Sequence, residues 1–363
     1  MLSIRVILAA WCILFGGLVA LAGEPAKDFQ PRPFRSPAGE RTLEQVLKDL
    51  QEQTGNAIVD RRGESNRANP TLTLKSKTFW ETLDAIGAQS GIGFSAYQPS
   101  RAVALIDTPY RKKMMIHHGG LFRFAVRRVT ATRDDETGAH FVDVALDIAW
   151  EPRLEPILIN LEGGVASFGN KAQKLARQGV LNVAGAGATD KIELRLLAPP
   201  RQQEEIKSLH GELRVLAPPR MLEFAFAGLK EKERRSAKQE GVIVTVAGLK
   251  KATKLWSLDL VIQNPEGAIP ELESFRAQSW LDNNRLWLTW TDPRTKKKQT
   301  LMSGPFAEYR DGTSEKMRIA FALEPSEKTP LPPPGADVTL HYRTPSRVTA
   351  FTVPFAFRDL PLP

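Results

Sequence analysis

The sequence predicts a small α+β module near its N-terminus, followed by a long and mainly antiparallel β region. Two observations carry that expectation. A helix motif occurs twice between Thr42 and Gly91, and most segments beyond residue 121 alternate apolar and polar residues. A third bounds it: 363 residues, 42% hydrophobic and 25% charged, is ordinary globular composition with room for two or three domains. A wholly disordered, collagenous or coiled-coil chain is excluded.

Residues 1–22 read as an export signal. Arg5 supplies the positive n-region, Val6 to Leu21 carries no charge, and Ala20-Leu21-Ala22 places cleavage before Gly23. The apolar run is roughly 16 residues against the roughly 20 that span a bilayer, so membrane attachment is expected only if the segment stays uncleaved. Cys12 lies within it after Trp11, with the apolar run continuing beyond, which argues against lipidation. The mature chain then has no thiol, hence no disulfide, Cys-ligated metal or Cys nucleophile. A periplasmic or secreted protein held together by its core follows. Cleavage leaves 49 Lys and Arg against 41 Asp and Glu, a net +8. Such charge often marks nucleic-acid binding, but export redirects it toward anionic glycans, lipid head groups or acidic proteins. Solvated loops are the simplest place for the clusters Arg111 to Lys113, Lys230 to Lys238 and Lys296 to Lys298.

Residues 23–41, with Pro25, Pro31, Pro33 and Pro37, read as a spacer. The α+β module is expected over 42–110. Thr42 and Gln45 form a capping box, Leu43, Val46, Leu47 and Leu50 recur at helical spacing, and Gly55 ends the helix. At Thr78 the same grammar returns: Glu81 completes a second box, Phe79, Leu83 and Ile86 form the stripe, and Gly91 closes it. Short strands are expected at 57–59, 72–74, 93–95 and 102–106.

On these residues the segment Thr42 to Asp107 resembles the secretin and TonB short N-terminal (STN) domain. The carrying motifs are Thr42 to Leu47 with Gln53-Thr54-Gly55, then Thr78 to Leu83 with Ser90-Gly91. The resemblance implies a periplasmic docking and signalling role without catalysis, and it names no contact residue. It departs in one place: polar Arg35 to Gly39 stands where a strand would precede the first helix. No secretin or receptor barrel follows, because the later strands lack aromatic girdles.

Beyond residue 115 the strands suggest two immunoglobulin-like β-sandwiches, over 115–201 and 205–363. Glu193 to Arg201 recurs almost unchanged as Glu212 to Arg220, each copy a strand stopped by Pro-Pro. The first copy is expected to end one sandwich and the second to open the next. Phe351, Val353, Phe355 and Phe357 then form a final strand. The ending Phe355 to Pro363, F-x-F-x-D-x-P-L-P, makes the whole layout similar to exported planctomycete-type proteins of unassigned function.

Chemistry is sparse. Gly164 to Gly169 has the wrong spacing for a hydrolase elbow, and Gly185 to Asp190 lacks the third glycine of a dinucleotide loop. Asp134-Asp135 and Glu204-Glu205 lie in charged connections. Met115 and His117 are weak metal candidates, since thioether and imidazole suit copper, but a strand entering a sheet is simpler. No catalytic residue, cofactor or metal is expected. The leading expectation is a non-enzymatic envelope protein whose module meets an envelope protein, including one of the outer membrane, through Leu43, Val46, Phe79 and Trp80. The alternative is a sandwich that binds a glycan or anionic cell-wall polymer through Trp287, Lys296, Lys297 and Lys298. An open apolar face at Leu43, Val46 and Phe79 favours the first, an exposed Trp287 the second.

Overall fold

A computed structural model describes residues 27–363, apart from 98–100, 170, 176–179, 182, 184–186, 201, 232, 253–254, 264–282, 304–307, 313–315 and 327–328. The export segment 1–22 and part of the stretch 185–190 lie outside the described residues. Most of the described chain is antiparallel β structure. Among the described residues no helix is long and apolar enough to cross a membrane.

The first module holds helices α1 (Leu43–Thr54) and α2 (Phe79–Ser90) with strands β1 (Arg41–Thr42), β2 (Ile58–Asp60), β3 (Thr71–Leu72), β4 (Ile92–Ser95) and β5 (Val103–Pro109). Thr42 Oγ1 accepts from the Gln45 amide at 3.4 Å while Gln45 Oε1 accepts from the Thr42 amide at 3.3 Å. Glu81 accepts likewise from the Thr78 amide at 2.9 Å. Both helices end on a left-handed glycine, Gly55 at φ 74° and Gly91 at φ 75°. β2 runs parallel to β5 and β4 antiparallel to it, while β1 pairs β3. The helices' apolar stripes and β5 close one core around Leu50, Leu83 and Val103.

The described part of the Pro-rich segment is no free spacer. Phe34 is buried in the module core and exchanges backbone bonds with Lys77 at 2.8 and 3.1 Å. Phe29 is buried in the next unit, its ring stacked on Phe351 at 4.8 Å between centroids. Burial of two rings outweighs the solvation of a polar tether.

The first β unit contains β6 (Ile116–Gly119), β7 (Phe122–Arg133), β8 (His140–Trp150), β9 (Leu158–Phe168), β10 (Lys171–Lys174), β11 (Val180–Leu181), β12 (Thr189–Leu197) and β13 (Glu205–Ala217). The second contains β14 (Met221–Ala227), β15 (Arg235–Gln239), β16 (Val242–Lys251), β17 (Trp256–Gln263), β18 (Arg285–Thr291), β19 (Lys298–Met302), β20 (Glu308–Gly312), β21 (Lys316–Leu323) and β22 (Val338–Pro345). A last strand, β23 (Thr349–Pro361), follows. The sheet β12-β8-β7-β6 faces the sheet β10-β9-β13-β23 across one core, and β14-β22-β18-β19 faces β15-β16-β17-β21-β20 across another.

This arrangement corrects the expected division at 201–205. β13 pairs β9 on one side and β23 on the other, so both strands belong to the first unit. Their inward residues explain why: Leu209, Leu213 and Val215 of β13 and Phe355 and Phe357 of β23 all bury in the first core. The two copies of the repeated segment therefore lie on facing sheets of one unit, with Leu194 and Leu213 both inward. The second unit is inserted between β13 and β23, whose adjoining ends pair Ala217 with Thr349.

Candidate functional site

Alternation along β18 sends Leu286, Leu288 and Trp290 into the second core and leaves Arg285, Trp287, Thr289 and Thr291 on the outer face. The sheet register then builds a row across four strands: Ala225 on β14, His341 on β22, Trp287 on β18 and Met302 on β19. Alongside runs a second row, Ala227, Thr339, Thr289 and Thr300. The Trp287 and His341 rings are parallel within 4°, with centroids 5.2 Å apart. Met302 is 50% exposed and Trp287 half-buried, while Ala225 and Ala227 keep the neighbouring surface shallow.

His341 Nε2 lies 2.8 Å from Thr289 Oγ1. Burial, aided by the nearby Lys298 charge, pushes the His341 imidazole below its ordinary value, which favours the uncharged ring in the stack. Lys298 pairs Thr291 and shares the outer face with Trp287, four positions along the strand, or about 13 Å. Lys296 and Lys297 lie in the turn beyond. Asp292 shapes that turn by accepting from the Arg294 and Thr295 amides at 2.7 and 3.1 Å. At the other end Arg343 meets Glu155 and Glu223. The result is a flat aromatic centre with cations at one edge, an arrangement suited to stacking on a ring-shaped ligand and pairing with its anionic groups.

The residues expected to meet a protein partner are elsewhere. Leu43, Val46, Phe79 and Trp80 are all buried in the module core, so they form no open apolar face. Trp80 also donates from Nε1 to the Leu121 carbonyl at 3.0 Å, tying α2 to the first β unit. The apolar side chains of all four are taken up by the packing of the module core.

That junction carries two buried charge nodes. Asp84 accepts from Arg123 Nε and Nη2 at 2.9 Å and from the Tyr110 hydroxyl at 2.8 Å, with His118 Nε2 at 2.7 Å. Burial opposes the carboxylate, yet the bonds from His118 and Arg123 hold Asp84 below its ordinary value. Burial and the Asp84 charge push the Tyr110 phenol up to about 12. Glu151, fully buried, accepts from Asn56 at 3.0 Å and Arg153 at 2.7 Å, and there burial prevails and raises the carboxyl. Arg153 also donates to the Asp28 and Gln30 carbonyls, fastening the incoming segment.

Met115 packs against the first core, and His117 lies between Phe124 and Phe357 at 6.0 and 6.3 Å. Among the described residues no group of three or more His, Cys, Asp or Glu is placed to hold a metal. Of the residues expected for a glycan, Trp287 and Lys298 share a face. His341, Met302 and Thr289 were missed, because their neighbours are set by strand pairing rather than by nearness in sequence.

No protein-family model matches this chain, and no curated protein matches it. Among solved structures, a conserved domain protein from Bacillus anthracis aligns with 67% of this chain and 89% of its own, at 9% identity and a TM-score of 0.18. So loose a superposition carries no assignment.

Proposed function

We propose that the chain is an exported, non-enzymatic recognition protein of the cell envelope that binds an anionic glycan or wall polymer on the outer face of the β14-β22-β18-β19 sheet. The observation that carries the reading is the row Ala225–His341–Trp287–Met302, an aromatic platform open to solvent with Lys298 on the same face. Export to the periplasm or beyond rests on the Arg5-to-Ala22 segment, and the non-enzymatic reading on the lack of a catalytic motif in the sequence. An STN-like identity for the first module rests on its doubled, glycine-ended helices. The immunoglobulin-like reading of the two β units rests on the antiparallel sheets that enclose each core. In this reading the module braces the first unit rather than docking a partner through Leu43, Val46, Phe79 and Trp80.

Titration with uronic-acid oligosaccharides, followed by tryptophan fluorescence and calorimetry, tests it. Trp287→Ala should weaken binding about tenfold or more, the loss of one well-stacked aromatic contact. Lys298→Ala should weaken it less, by an amount that shrinks as salt rises. Unchanged affinity in both variants, or no binding by the intact protein, would remove the reading.

A further inference from the structure

A second surface is shaped for a ligand, at the point where the first module passes into the first β unit. The connection Tyr110 to Met115 and the strand β7 border an open cleft of about 650 Å³, closed at one side by Pro361 of β23. Five cations line it, Arg111, Lys112, Lys113, Arg127 and Arg128, and none of its described lining residues is acidic. Its remaining wall is apolar: Met114, Met115, Val126 and Val129.

A register shift shapes this surface. Val126 faces Leu146 and Arg128 faces Ala145, so Arg127 is an extra residue, a β-bulge in the ladder with β8. Regular alternation would point successive side chains to opposite faces of the sheet. Instead Arg127 and Arg128 are both exposed beside the cleft, while Val126 and Val129 are half-buried against it. The connection is itself fixed: Met114 donates to the Arg111 carbonyl at 3.3 Å and Val126 to the Met115 carbonyl at 2.9 Å. Tyr110 is anchored by its hydroxyl bond to Asp84.

Two of the cations have acidic neighbours outside the cleft. Arg127 lies 3.5 Å from Asp147 and Arg128 3.1 Å from Glu193, both pairs largely exposed and hence weak. Arg111, Lys112 and Lys113 have no ion pair among the described residues, which leaves strong uncompensated positive charge over an apolar floor. Such a floor lowers the local dielectric beneath a bound anion and strengthens its attraction to the rim. Guanidinium forks match phosphate oxygens two at a time, and lysines add mobile point charges.

We infer that this cleft is a binding site for a phosphate-bearing polyanion, either a free phosphorylated compound or an anionic phospholipid head group. It is separate from the Trp287 face and stands whether or not that face binds a glycan.

The test uses calorimetry with inorganic tripolyphosphate and co-sedimentation with vesicles of phosphatidylglycerol in phosphatidylcholine, on the intact mature protein. The double variant Lys112→Glu with Lys113→Glu reverses two exposed charges of the rim. A matched reversal of equal net charge, Lys230→Glu with Lys238→Glu, lies on the second unit. The rim reversal should weaken binding about tenfold or more while the matched one changes it less than about twofold, because Lys230 and Lys238 do not line the cleft and exposed charges that do not touch a ligand act on it only through a screened field. Binding of tripolyphosphate alone identifies a free phosphate ligand, and rim-dependent binding of vesicles alone identifies the head group. Equal losses from the two reversals, or no binding of either probe by the intact protein, overturn the inference.

Discussion

Asp84 and Glu151 are buried carboxylates at the same junction, yet their surroundings push them in opposite directions. Asp84 is held below its ordinary value of 3.8, so its contribution to stability is complete above that pH and is lost as pH falls through the depressed value. Glu151 is raised above its ordinary 4.5, so the folded state holds its proton more tightly and stability declines as pH rises from 4.5 to the raised value. Denaturant unfolding followed across pH 2 to 8 should therefore show a steep acid loss that Asp84→Asn flattens. Glu151→Gln should remove the opposing decline while leaving an oxygen to accept from Asn56. Asp84→Ala should cost about 3–5 kcal/mol, since it strands the buried Arg123 guanidinium. Little of this was legible in the sequence. Asp84 sits at a buried turn of α2, and its partners come from the connection after β5 (Tyr110), from β6 (His118) and from β7 (Arg123).

Elements were more legible than contacts. Both helices could be read from their ends, because capping boxes and left-handed glycines are local chemistry. Thr42→Ala should accordingly cost about 1 kcal/mol by thermal unfolding. Strands were legible too, because alternation reports which side of a sheet meets the core. Which sheet a strand joins was not: the strand parts of the two copies, 193–197 and 212–217, share their pattern but sit on facing sheets. Trp287 could be marked as unusual by its offset from Leu286 and Leu288, whereas His341 beside it depended on register with β22. Gly211 shows what local reading omits. A Cβ there would lie 2.5 Å from the Phe355 ring across the β13–β23 ladder. Gly211→Ala should overpack that contact and destabilise by about 1–3 kcal/mol, measured by urea midpoint.

At the scale of the molecule the second unit is a guest within the first. Ala217 and Thr349 are paired neighbours, so the chain leaves and re-enters the first unit at adjacent points. Replacing residues 221–345 with a short Gly-Ser linker should therefore leave the module and first unit folded. A cooperative thermal transition and retained β signature would bear this out, and an expanded chain without one would refute it. The variant will expose Ile157, Leu158 and Leu216, which the second core covers in the intact protein, and reduced solubility is the expected cost. Phe29 and Phe34 bind the module to the first unit, each ring in a different core.

The insertion also acts as a timer. As the chain emerges residue by residue, β13 has no partner on one side until everything up to residue 361 has followed. The guest strands, residues 221–345, therefore all emerge before the strand that closes their host. During that interval the guest can complete its own core, while its host waits with one flank open.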